Sequence, residues 1–241
     1  MSRLPRIDQT LSRLGYATRR EAASLAKRGS ISTANGTLLK KSDTRHDPGD
    51  LLFEGEPLEA VNGLYIMFHK PAGLVCSHEV REGPSIYDML PARWLRRNPL
   101  PASIGRLDKD TTGLILITDD GTFNHRLTSP KHDVQKTYEL EVDTNIPEHA
   151  VALFAEGSLI LKNEDKPCRP AELQIKAPRK AQLILGEGRF HQVKRMMEAV
   201  GCTVTKLHRS QIGTLKIGDL KEGAWRALNE AELLLLKGGD A

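Results

Sequence analysis

Cysteine is scarce in this 241-residue chain: Cys76, Cys168 and Cys202 lie far apart, with no C-x-x-C pair among them. An odd number excludes a complete disulfide framework, and the spacing gives a zinc ribbon no support. Buried free thiols in a reducing compartment are expected instead. The chain also lacks an apolar run long enough to span a bilayer and a charged-then-apolar leader after Met1. No membrane attachment is expected, and the chain reads as soluble and cytoplasmic. Internal repeats and low-complexity segments are missing too. What is present is an ordinary globular composition, 39% hydrophobic and 27% charged. The length suits one large domain, or a small one beside a medium one.

The net charge of +4 is unevenly spread. Residues 1–45 carry ten Lys or Arg against three acids, a local +7 that leaves −3 for the rest. A polyanion-binding appendage would show this pattern, and so would a solvated basic surface; charge alone does not separate them. In this basic end Ile7, Leu11 and Leu14 mark one face of a short helix closed by Gly15. Thr18-Arg19-Arg20-Glu21 is a capping box opening a second helix, which Gly29 stops. Asn35-Gly36 turns a hairpin over residues 31–39. Arg19 and Arg20 therefore fall in a first helical turn, where the dipole disfavours cations by about 0.3–1 kcal/mol. A docked phosphate would reverse that misfit, and two solvated arginines would tolerate it. Residues 46–63, acidic and rich in Gly and Pro, are expected to supply a last strand and a linker.

In the body, Leu64-Tyr65-Ile66-Met67-Phe68, His69-Lys70-Pro71-Ala72-Gly73 and Leu74-Val75-Cys76 predict strand, tight turn and strand, with Lys70 available to an anion. Arg93-Trp94-Leu95-Arg96-Arg97 is either a basic, stacking grip on RNA or a surface loop pinned by Trp94 and Leu95, the second being preferred. A short helix is expected over 122–127, and a strand over 136–142 with Tyr138, Leu140 and Val142 on one face. Another helix at 147–156 and two strands within 171–187 follow. Val193, Met196, Met197 and Val200 then form the buried stripe of a helix ended by Gly201. His191, Lys194 and Arg195 share another face, a cationic patch that an acid or phosphate would relieve and water would tolerate.

The densest chemistry lies in Gly105-Arg106-Leu107-Asp108-Lys109-Asp110-Thr111-Thr112-Gly113, followed at once by the buried-strand run Leu114-Ile115-Leu116-Ile117. It is not a P-loop, since there is no G-K-[ST] and the strand comes after the loop. Asp108-Lys109-Asp110-Thr111-Thr112 matches the D-x-D-x-T of aspartyl-phosphate phosphotransferases literally. That chemistry needs a buried strand before the first Asp, and Pro101 stands in the way of one. The third reading is a carboxylate acting on a nucleic-acid base beside a helping cation. Asp110 and Thr111 are expected to shape the loop through local side-chain-to-backbone bonds.

Gly105-Arg106-Leu107-Asp108 resembles the catalytic loop of the pseudouridine synthases. His69-Lys70-Pro71-Ala72-Gly73 is similar to that family's N-K-P-x-G turn, with His where Asn is usual. Lys136-Thr137-Tyr138 resembles its tyrosine strand, and residues 188–196, Gly-Arg-Phe-His-Gln-Val-Lys-Arg-Met, its basic helix. Leu14-Gly15-Tyr16-Ala17-Thr18-Arg19-Arg20-Glu21-Ala22 resembles the S4 RNA-binding module. With the stretch from His125 to His132, the likeness is to the ribosomal small-subunit branch of the family.

The resemblance implies an α+β fold: an S4-like module over about residues 1–60 and a catalytic domain over about 61–241. The catalytic sheet would be mainly antiparallel, in two halves around a central cleft. Asp108 would attack the target uridine or take a proton from its ribose, freeing the base to rotate and rejoin through carbon. Arg106 would fill the place of the extruded nucleotide, whose flipping costs a few kcal/mol. Tyr138 would pack on the flipped base, and Lys194 would pair with Asp108. Burial raises a carboxyl's pKa, and a cation about 4 Å away offsets that by about 4 kcal/mol at an effective dielectric near 20. Arg19, Arg20, Arg28, Lys70, His191 and Arg195 would add contacts to RNA. No metal and no cofactor is implied, because an isomerisation needs neither redox partner nor group donor. The implied partner is 16S (small-subunit) ribosomal RNA, as an assembly intermediate, met by a monomer. Large-subunit RNA is one alternative, and a binding-only assembly factor with an idle catalytic domain is another. The stretch from His125 to His132 speaks against the first, and intact Asp108, Tyr138 and Lys194 against the second.

Overall fold

The computed structural model describes residues 3–238, so the outer limits expected for the two domains, residues 1 and 241, lie outside the described residues. The chain forms two compact units, the first comprising residues up to Tyr65 together with Tyr87–Ala102 and Thr118–Asp120.

In the first unit, α1 (Ile7–Arg13) and α2 (Arg19–Arg28) pack with a small sheet of β1 (Ile31–Thr33), β2 (Leu51–Phe53) and β3 (Glu56–Pro57), antiparallel in that order. Ile7, Leu11, Leu14, Ala22, Ala26 and Ile31 are wholly buried between them. The capping box forms as the sequence predicts: Glu21 N–H donates to Thr18 Oγ1 at 3.2 Å and Thr18 N–H to Glu21 Oε2 at 2.8 Å. One of the two first-turn cations is already paired, with Arg19 Nη2 3.3 Å from Asp8 Oδ2, while Arg20 and Arg28 are exposed. Gly15 has φ +79, and a Cβ there would lie 2.4 Å from the Arg93 carbonyl oxygen. Only glycine admits that approach, which draws residues 87–102 to this unit. The Asn98 N–H donates to Arg13 O at 2.9 Å, and Arg97 Nε meets Asp119 Oδ2 at 2.7 Å with both side chains buried. Trp94 is buried as well, in agreement with the anchoring reading. A cut after residue 60 therefore differs from the unit that packing creates.

Apart from the end residues Tyr65, Ala102 and Thr118, the second unit contains β4 (Tyr65–Lys70), β5 (Ala102–Ser103), β6 (Thr112–Thr118), α3 (Gly121–Thr128), β7 (Lys136–Val142) and α4 (His149–Glu156). It continues through β8 (Ala171–Ala177), β9 (Lys180–Leu185), α5 (Gln192–Ala199), β10 (Val204–Ile212), β11 (Leu215–Lys216), β12 (Trp225–Ala227) and α6 (Glu230–Leu236). A nine-stranded sheet runs β12-β4-β6-β10-β7-β9-β8, with β5 on β6 and β11 on β10. The fold is α+β and the sheet mainly antiparallel, as the resemblance implies. Near its middle β10 lies parallel to β6, at the pairs His208–Thr112 and Arg209–Gly113. Gly113 has φ +110, and a Cβ there would fall 2.3 Å from the Arg209 carbonyl oxygen, so this junction requires glycine. The apolar run of β6 is wholly buried, Leu114 through Ile117.

The expected hairpin over 64–76 does not form. β4 pairs with β12 and β6, and Val75 makes only an isolated bridge to Ser85. Lys70 draws the intervening turn elsewhere, as described below. Among the described residues, no helix is long and apolar enough to cross a membrane.

Candidate active site

The loop between β5 and β6 borders a cavity of about 620 Å³ contained in the second unit. A buried ammonium holds this loop. Lys70 ends β4 with 0% exposure, and its Nζ donates to the carbonyls of Pro71 (3.0 Å), Lys109 (3.1 Å) and Thr111 (2.8 Å). All three ammonium protons are thus engaged, and the Gly73 N–H adds a bond of 2.7 Å to Lys109 O. Burial pulls the Lys70 pKa below its ordinary value. The expectation that Lys70 contacts RNA is therefore corrected: the amine is sealed beneath the loop and acts on its backbone. The Cys76 thiol faces Leu107 O at 3.6 Å, and burial raises its pKa. The Thr111 N–H closes the turn onto Asp108 O at 3.1 Å.

The carboxylate of Asp108 emerges from this scaffold partly exposed and flanked by two basic groups. Lys194 Nζ lies 3.0 Å from Oδ2 and His191 Nε2 3.4 Å from Oδ1. Both approach from the start of α5, whose Val193, Met196 and Met197 are buried and so turn Lys194 toward the loop. His191 precedes the helix in a left-handed conformation, φ 48, uncommon for a residue with a side chain this large.

Lys194 is not reserved for Asp108. Its Nζ also reaches Asp110 Oδ1 at 2.6 Å and Oδ2 at 2.9 Å, so one ammonium bridges two carboxylates. Asp110 was expected to bond only locally, and the 84 residues between the partners hid this contact. Burial lowers the Lys194 pKa, but the hydrogen bonds to Asp110 and Asp108 outweigh it and hold the amine above its ordinary value. The bond from Lys194 likewise holds Asp110 below the usual carboxylate range.

Tyr138, on the buried face of β7, lines the same cavity. Beside it is Arg209 on β10, a residue that no motif in the sequence singles out. It is 2% exposed, donates from Nε to Leu114 O at 2.8 Å, and sets its guanidinium carbon 6.0 Å from the Tyr138 ring centroid. An arginine in a strand reads as solvated; this one lies at the β6–β10 junction, paired with Gly113, and is buried. Arg106 points outward, 72% exposed, with Glu82 3.8 Å away.

Arg195, expected to contact RNA, has partners within the chain. Its Nη1 meets Glu164 Oε1 at 2.5 Å and its Nη2 donates to Lys162 O at 2.7 Å, while Arg189 Nη1 takes the other Glu164 oxygen at 2.6 Å. These arginines fasten the 162–167 segment to the start of α5. His69 turns to the 220 loop, with Nδ1 2.7 Å from Leu220 O. Among the described residues no group of three or more His, Cys, Asp or Glu is placed to hold a metal ion.

Residues 64–199 match the family model described as RNA pseudouridylate synthase. The chain belongs to that family. Over 234 residues this synthase is 40% identical to the ribosomal small subunit pseudouridine synthase A of Pasteurella multocida, covering 95% of this chain and 97% of that protein. Its counterpart from Escherichia coli K12 is 38% identical, with 86% and 89% covered. A crystal structure of a pseudouridylate synthase, 36% identical, superposes with a TM-score of 0.67 over 96% of this chain and 99% of the other. A pseudouridylate synthase isomerises uridine in RNA, so RNA is the partner of this chain. The cavity is of a size that accepts a nucleotide-sized ligand.

Proposed function

We propose that this synthase converts one uridine of small-subunit ribosomal RNA to pseudouridine, with Asp108 as the carboxylate that acts on an extruded nucleotide. The observation that carries the reading is the ion-paired Asp108 at a cavity that Tyr138 also lines. Asp108 must be ionised to attack the ribose or remove a proton from it. Lys194 Nζ, 3.0 Å from one carboxylate oxygen, and His191 Nε2, 3.4 Å from the other, are already in place around the group that would act. In either route the bond from ribose to N1 breaks with its electron pair on the base. The base then turns and bonds the same ribose carbon through C5. This releases the carboxylate from that carbon in the first route and is followed by return of the abstracted proton to the ribose in the second. The C5 proton is lost as one is regained at N1. Atoms and electrons balance without an added reagent. Tyr138, packed on the buried face of β7, would support the turning base. Arg106, exposed at the rim, would occupy the stack that the nucleotide leaves.

The small-subunit assignment rests on the relatives' named activity and on their nearly full-length similarity. The first unit, with exposed Arg20 and Arg28 on a capped helix, is read as an S4-like module that grips the RNA backbone. The remaining elements form the catalytic domain. The enzyme would act as a monomer in the cytoplasm, on an assembly intermediate.

The test compares wild type with Asp108→Asn on small-subunit ribosomal RNA, mapping pseudouridine by sequence position. Wild type is expected to modify one position; Asp108→Asn should bind the RNA equally well and lose at least about a thousandfold in rate. An Asp108→Asn protein that still forms pseudouridine would remove the basis of this assignment.

A further inference from the structure

Phe190 is the most exposed large apolar side chain among the described residues, at 77%. It is not an isolated surface residue. Its ring lies nearly parallel to that of His191, centroids 3.8 Å apart and planes 19° from one another. Both residues line the cavity that contains Asp108 and Tyr138. His191 in turn is held from two sides, by its left-handed backbone before α5 and by the 3.4 Å approach of Nε2 to Asp108. The histidine thus backs one face of the phenyl ring, and the ring's exposure leaves its outer surface to solvent.

We propose that Phe190, backed by His191, is a stacking subsite for the base flanking the nucleotide that enters the cavity. This rests on the reading of the cavity as a nucleotide site. Extruding one nucleotide strips its neighbours of a stacking partner, and a flat aromatic surface at the cavity rim replaces it. A π-face accepts any base, so the subsite gives affinity and register without reading sequence. The exposed cation of Arg106, on the same cavity lining, suits a strand whose backbone is anionic. A protein partner is less well served, because a single phenyl ring between Arg189 and His191 offers no apolar patch of useful size.

The test uses the full-length enzyme with Phe190→Ala, Phe190→Leu, Phe190→Tyr and Phe190→Trp, on naked ribosomal RNA. Stacking on an aromatic is worth roughly 5- to 100-fold in affinity per base. The alanine and leucine variants should raise KM about tenfold with kcat within about twofold, an estimate from the lower part of that range. Tyr and Trp should restore KM, and thermal midpoints should not move. In Phe190→Trp, a short oligouridylate should quench indole emission beyond any quenching of wild type. Equal KM for Leu and Tyr would overturn the proposal, as would an effect seen on ribosomal particles and not on naked RNA, which would assign the ring to a protein contact. If wild type proves not to modify ribosomal RNA, the functional reading fails, and quenching by the oligouridylate still decides whether the ring stacks on bases.

Discussion

At the scale of single residues, Lys194 is the control point, because it serves two carboxylates at once. Lys194→Met should lower kcat by about a hundredfold or more, in the range seen when one charge-stabilising donor is removed. RNA affinity should change little. Lys194→Arg should recover much of the rate, although a planar fork cannot reproduce a point charge. The pair also links stability to pH. Asp110 has a folded pKa below its ordinary 3.8, so its contribution is present above that pH and is lost as pH falls through the folded value. Lys194 has a folded pKa above its ordinary 10.5, so its contribution is complete below that pH and is lost as pH rises past the folded value. Urea unfolding of wild type against Asp110→Asn should therefore show a gap at neutral pH that closes in acid. Asp110 is 73% exposed, and screening limits the gap to about 1 kcal/mol. The residues proposed for the site were legible through the family resemblance: Asp108 in a Gly-bracketed loop, Tyr138 on an alternating strand, Lys194 near a helix start. The identity of partners across 84 or 95 residues was not, which is why Asp110 and Arg209 were missed.

At the scale of elements, β6 and the loop before it decide how firmly Asp108 is held. Gly113→Ala would drive a methyl carbon into the Arg209 carbonyl and strain φ as well. The two effects should cost about 3 kcal/mol or more, read as a lowered urea midpoint with the slope unchanged. Local signals predicted most elements near this loop correctly, because patterning and propensity agreed with burial: the apolar run of β6, the alternation of β7, the Gly-ended α5. The failure at 64–76 has a physical cause. A Pro/Gly turn after a strand looks like a hairpin, and nothing nearby reveals that Lys70 will find three carbonyls, two of them about forty residues downstream. A lysine's ordinary preference for water pointed the wrong way.

For the whole molecule, the division between the two units does not follow the order of the chain. Residues 87–102 return to the first unit, where Trp94 and Arg97 are buried. A chain lacking residues 1–60 would lose Arg13 as a partner for Asn98, Glu59 as a partner for Arg93, and the cover over Trp94. Such a chain should melt at least about 5 °C lower and aggregate, since that shift corresponds to only about 1–2 kcal/mol in a domain this size. Light scattering and a thermal melt would check it. A basic end beside a near-neutral body was visible in the distribution of Lys and Arg, whereas the return of a distant segment is a matter of packing around Gly15, which composition does not reveal.

The thiol of Cys76, facing the carbonyl of the residue before Asp108, turns the site into its own gauge. Buried at 7% exposure and with its pKa raised by burial, it should react slowly with alkylating agents while the neighbouring backbone stays shut. Labelling at that sulfur therefore times each excursion of the loop, with no probe added to the chain.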